Sequence, residues 1–339
     1  LRLTATTRSL GFVLAIHTLA YAAEPGLSVR RHVSIGWTST KPAQPFVTVQ
    51  IGDVTSHALV DTGASDHVIA SSLVESASLP TVSLRAQGVD HGAGSLQLSG
   101  LAHTDVSIAG WGPLEASLST TKDGTAFAVA GVHPRFQELG LGAFVSPQRL
   151  VTAGHAVVVD LAASEIVEVP VTQLRAYLDA KGGASLFTAG SEVCKHGKGP
   201  RSGTTWIADA LIEGHPARLL VDTGAAYGDL FRDSVVGRAL VGRDKSNTTM
   251  VTAGSTLDAE RISDITVRLG EVQRSKLRWT LVPSQGKPVC PYDGVLGIDV
   301  LRSCVVAFDG QTMSGRCPEM TETAEPPKKT TRPRKKGKR

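Results

Sequence analysis

The 339-residue sequence predicts an all-β fold made of two similar halves, and three observations carry that prediction. Short runs of alternating apolar residues recur between Gly- and Asp-containing turns, with few stretches of helical period. The string VDTGA occurs twice, with its Asp at 61 and again at 222. The segments around each copy follow in the same order, and self-similarity of this kind constrains a fold more than local propensity does.

Each copy ends a pair of strand-like runs, PFVTVQIGDVTSHALVDTGA and TTWIADALIEGHPARLLVDTGA. Gly52-Asp53 and Glu213-Gly214 supply the turns, so each reads as a β-hairpin that delivers its Asp at a strand end. Segments of helical or turn character follow, SSLVESASL and RDSVVGRAL, and then Gly-containing hairpins around Gly94 and Gly254. Leu139-Gly140-Leu141 and Leu296-Gly297-Ile298 form a further matched pair. Each half closes on an apolar hairpin, AVVVDLAASEIVEV and CVVAFDGQTMSGRC. The predicted units are residues 40–170 and 201–318. Between them, 171–200 begins as a short helix and dissolves into a Gly-, Lys- and Ser-rich interlobe linker.

With 41% hydrophobic and 19% charged residues, the chain has enough apolar surface for a sizeable core. Its net charge of +4 is concentrated at one end: PPKKTTRPRKKGKR holds eight basic residues and no acid, so the body is mildly acidic. Residues 319–339 therefore predict a disordered basic tail, suited at most to weak contact with an anionic surface. The acidic body argues against a nucleic-acid partner.

At the other end, Arg2 and Arg8 precede an apolar run from Leu10 to Ala20 and the small residues Ala20 and Ala22. That pattern predicts a signal peptide over 1–22 and a secreted or periplasmic product. No later run is long and apolar enough to span a membrane. Four cysteines in an exported chain favour disulfides, with buried free thiols as the alternative. A turn at Asp309-Gly310 sets Cys304 opposite Cys317 in a hairpin, which leaves Cys194 for Cys290. No Cys or His spacing suggests a metal, and no cofactor motif is present.

Burying one ionised carboxylate is costly unless it is paired, so two related loops imply that Asp61 and Asp222 meet. Two close carboxyls share one proton. Such a pair can take a proton from water with one member and donate to an amide carbonyl with the other. Thr62 and Thr223 offer hydroxyls to brace the loops, and Gly63 and Gly224 let backbone pass close to a carboxyl.

These residues make the chain resemble a retropepsin-like aspartic protease with both lobes fused in a bilobal, pepsin-like architecture, over most of residues 45–318. The resemblance implies an Asp61/Asp222 catalytic dyad, interlocking Thr62 and Thr223, loop glycines Gly63 and Gly224, a polypeptide substrate, no cofactor and a monomer. Ala64 and Ala225 stand where pepsin-like enzymes carry Ser or Thr, as in retropepsins. Without that hydroxyl the dyad is expected to titrate higher and to work at less acidic pH. Candidate flaps are QGVDHGAGSLQLSG, with His91, Gly92 and Gly94, and MVTAGSTLDAER, with Gly254; neither has the Tyr of a pepsin flap. Two other readings stand beside this one. A non-catalytic peptide-binding module would keep the lobes, and LVTAGHA resembles the His segment of trypsin-like serine proteases, with His155 as base but no Gly-Asp-Ser-Gly-Gly partner.

Overall fold

The computed structural model describes residues 27–89, 95–115, 126–187, 192–196, 203–283 and 290–318. The segments 1–22 and 319–339, and the flap candidates His91, Gly92 and Gly94, lie outside the described residues. Strands dominate, and they form three sheets.

The first half is built on the hairpin Pro45–Ile51 and Val54–Val60. Val47, Val49 and Ile51 point inward while Thr48 and Gln50 are less buried, the period-2 pattern of a strand with one covered face. Gly52 turns the chain at a φ of +54°, and Ile51 faces Val54 across a two-residue turn. Its counterpart joins Gly203–Ile212 to His215–Val221 through Glu213 and Gly214, both at positive φ as a type I′ turn requires.

Seven strands then follow one spatial order in each half. In the first it runs Thr81–Val89, Ser95–His103, Ala126–Ala130, Val68–Ala70, Leu141–Val145, Val54–Val60, Pro45–Ile51. In the second it runs Lys245–Val251, Thr256–Leu269, Val272–Val282, Asp229–Phe231, Gly294–Leu296, His215–Val221, Gly203–Ile212. In both, the strand that ends at the Asp lies parallel to the returning strand, and the short strand after the Asp pairs antiparallel with it.

One sequence correspondence is corrected by these ladders. Asp61 N donates to Val145 O at 2.9 Å and Asp222 N to Leu296 O at 3.1 Å, so Gly297 matches Ser146 and not Gly140. A short helix follows each matched position, Pro147–Leu150 and Ile298–Leu301. The two glycines serve different ends. Gly140 sits at a φ of +74° before its strand, whereas a Cβ on Gly297 would lie 2.5 Å from the Tyr227 carbonyl carbon. A Leu-Gly-apolar pattern does not distinguish these causes.

The closing hairpins do not stay in their own halves. They zip together into one sheet, ordered Arg31–Ser34, Glu165–Pro170, His155–Asp160, Val305–Phe308, Met313–Cys317, Ala184–Ser185, with Val157 opposite Phe308. Their runs are apolar on both faces because both faces are covered. Val157, Val159, Val306 and Phe308 join a core that includes residues of both halves. Ala156, Val158, Val305 and Ala307 pack beneath the helix Val171–Lys181 through Leu174, Tyr177 and Leu178. The segment read as the start of a linker is thus a structural cover, anchored at its end by Lys181 to Asp160 at 2.7 Å and Glu165 at 3.3 Å.

Both disulfides have the pairing expected from the sequence, Cys194–Cys290 and Cys304–Cys317. Cys304 and Cys317 lie one step beyond the Val305–Arg316 pair, with Cα atoms 4.2 Å apart. Among the described residues no helix is long and apolar enough to cross a membrane.

Removing the cover should be costly. Leu178→Ala is expected to destabilise the protein by about 2–5 kcal/mol, the usual range for a buried Leu, read as a lower urea midpoint. A loss under about 0.5 kcal/mol would mean that the helix does not cover the shared sheet.

Candidate active site

Asp61 and Asp222 stand at equivalent strand ends and point at each other across the two halves. The residues after them lock the loops. Thr62 Oγ1 donates to Val221 O at 2.8 Å and accepts from Thr223 N at 3.0 Å. Reciprocally, Thr223 Oγ1 donates to Val60 O at 2.5 Å and accepts from Thr62 N at 3.2 Å. Both threonines are fully buried. The four bonds satisfy every backbone group they touch and set the carboxyls' separation.

The glycines make room for the opposite acid. A Cβ on Gly63 would lie 2.6 Å from Asp222 Cγ, and one on Gly224 would lie 2.8 Å from Asp61 Cγ. Each carboxyl therefore rests against the other loop's backbone. Within the loops, Ala64 N donates to Asp61 Oδ1 at 2.8 Å, while Gly224 N and Ala225 N donate to Asp222 Oδ1 at 2.7 and 3.2 Å.

Burial, then the charge of Asp222 and a side-chain hydrogen bond to it, hold the Asp61 carboxyl well above the usual carboxylate range. Hydrogen bonds from Ala64 and Gly63 oppose this only in part. The leading causes are burial and the second acid.

Several supporting residues escaped the sequence reading. Gln148, two residues past Ser146, points Nε2 at Thr62 O, Ala64 O and Thr204 O at 3.0, 2.7 and 2.9 Å. Its counterpart, two residues past Gly297, is Asp299, which accepts from Gly228 N at 3.0 Å and Trp279 Nε1 at 3.1 Å. Burial pushes the Asp299 carboxyl up to about 7. Gln44 Nε2 donates to Gly224 O, and Tyr227 Oη donates to Lys41 O at 2.9 Å, so residues 41–44 of the first half reach the second loop. His67 Nδ1 accepts from Ser146 N at 3.2 Å, and burial followed by the Arg149 charge lowers this imidazole to about 3. A matched position three residues past each returning strand was the available signal for Gln148 and Asp299. Their unlike side chains hid it.

A cleft of about 510 Å³ opens over the two carboxyls. The second-half hairpin that carries Gly254 lines it with Thr248 to Ala253. This hairpin also touches the first half, where His133 N donates to Ala253 O at 2.7 Å. His155 is elsewhere. It opens a strand of the shared sheet, with Nδ1 3.1 Å from Ala153 O of its own turn, and does not line the cleft.

Two outcomes are expected. Thr62→Val or Thr223→Val keeps the shape but unpairs buried backbone groups, at about 1–3 kcal/mol for each, measurable by thermal or urea unfolding. An unchanged midpoint would contradict the lock. For Asp299, the folded protein keeps its proton to a higher pH than the unfolded chain, whose value is near 3.8. Its contribution to stability is full below about pH 4 and is lost as pH rises toward 7. Asp299→Asn should remove that component, so the difference in unfolding midpoint between wild type and variant should change across this window; a constant difference would refute it.

No curated protein matches the sequence. A family model described as aspartyl protease matches residues 47–118, the stretch that holds the Asp61 loop.

Proposed function

We propose that this protein is an aspartic endopeptidase in which Asp61 and Asp222 activate one water for attack on a peptide bond. The observation that carries this reading is the meeting of the two carboxyls, one from each half, on interlocked threonine loops. The family match over residues 47–118 supports the protease reading from sequence.

At working pH the pair shares one proton and is described by values that belong to the pair. The ionised member takes a proton from the water between them as its oxygen bonds to the amide carbon. The protonated member gives its proton to the carbonyl oxygen, and a gem-diol forms. As the C–N bond breaks, the proton taken from water passes to the leaving nitrogen, and a diol hydroxyl returns its proton to the other carboxyl. The pair ends as it began.

Both acids come from one chain, so the site is complete in a monomer. Two disulfides suit the oxidising, secreted or periplasmic location read from the leader. The alternative of a non-catalytic peptide-binding module draws on Tyr227, which lines the cleft beside the second loop and is 41% exposed.

Catalysis separates the two readings. Asp61→Asn and Asp222→Asn should each reduce cleavage of a denatured protein mixture to background, as should an active-site-directed aspartic protease inhibitor. Equal cleavage by wild type and both variants, or none by wild type, would overturn the proposal. Because Asp61 keeps its proton above the ordinary range, activity should peak above about pH 4 and fall as pH rises through the raised value. A sharp optimum near pH ~2–3 would contradict that account.

A further inference from the structure

The two-fold frame carries unlike walls. On the first-half side of the cleft, Phe136, Leu139 and Phe144 form an apolar surface, with the Phe136 and Phe144 rings 5.4 Å apart. On the second-half side the threonines Thr248, Thr249, Thr252 and Thr280 and the cationic Arg261 line the cleft, beside Met250, Val251 and the buried acid Asp229. Arg261 Nη2 donates to Thr248 Oγ1 at 3.1 Å, and Thr280 lies directly across the ladder from Arg261. Both threonines line the cleft with Arg261.

Arg261 has no carboxylate partner among the described residues. The adjacent Glu260 is taken by Lys245 at 3.1 Å and Arg232 at 3.4 Å. Lys41, on the rim beside Tyr227, also lacks an acid among the described residues, whereas Arg135 of the apolar wall is paired with Glu138 at 2.7 Å. One guanidinium edge is thus anchored by a hydroxyl while its remaining N–H groups stay available. That arrangement suits a carboxylate, which a guanidinium can bind through two parallel hydrogen bonds.

We propose that Arg261 is a specificity determinant that selects substrates with an Asp or Glu side chain on the second-half side of the scissile bond. This rests on the peptidase reading above. Arg261 binds the substrate carboxylate, Thr248 holds the guanidinium in place, and Lys41 adds favourable charge at longer range. The dyad is left to the chemistry.

The test is a cleavage-site profile of a denatured protein mixture by the full chain at about pH 6, where peptide carboxyls are ionised. Peptides that differ only by Glu or Gln at the preferred position follow. Asp and Glu should be enriched at one position relative to the cut. The Glu peptide should be preferred by about tenfold in kcat/KM, in line with one charge-assisted contact, and less so at high salt. Arg261→Gln should bring the ratio to about one, and Arg261→Glu should shift the preference to Lys or Arg.

Cleavage by wild type without acidic enrichment overturns the inference and leaves the peptidase reading intact. Enrichment that survives both Arg261 variants, or that is lost in Lys41→Gln instead, overturns the assignment to Arg261. Failure of wild type to exceed Asp61→Asn in any cleavage fells the peptidase reading and this inference with it.

Discussion

The reciprocal hydrogen bonds of Thr62 and Thr223 are the constraint on which the site depends. Each hydroxyl reaches across to the carbonyl just before the other half's Asp and receives the other threonine's backbone N–H. A slip of one half against the other would strand four buried polar groups, so the halves' mutual position and the spacing of the carboxyls are one quantity. Gly63 and Gly224 permit that spacing by leaving a Cβ-sized space that the opposite carboxyl fills.

The lock is supported by a scaffold that is itself shared. The closing hairpins pair edge to edge through Val157 to Asp160 and Val305 to Phe308, and the buried core runs through both halves. The helix Val171–Lys181 covers the outer face of this sheet. Behind the loops the symmetry breaks. A neutral amide, Gln148, holds the first loop by donating to carbonyls, while Asp299 holds the second by accepting N–H groups. The first is indifferent to pH, and the second titrates near neutrality.

A peptide has direction, and a two-fold frame does not. For the substrate proposed above, directional reading therefore has to come from the walls, where rings lie on one side and, on the other, hydroxyls with a guanidinium that has no carboxylate partner among the described residues. The arm that carries Lys41 and Gln44 adds a further difference, since it reaches from the first half onto the second loop.

The fold class, the two Asp loops and their hairpins were legible in the sequence because each rests on alternation, turn chemistry or a repeated string; Cys304–Cys317 followed from one turn, and Cys194–Cys290, 96 residues apart, only as the remaining pair. The returning strand was legible as an element but not in register. Gly140 and Gly297 share a pattern, yet only the ladder shows that Val145 and Leu296 meet the two Asp residues. Gln148, Asp299 and Gln44 were invisible because their roles depend on partners far away in the chain, and their residue types are ordinary at any surface. Tertiary structure alone decided that the closing hairpins cross between halves, since a run buried on both faces reads the same whichever strand lies beside it. Sequence by itself singled out the two Asp loops; the tertiary structure decided what holds them and what they face, because those are long-range contacts that local pattern does not encode.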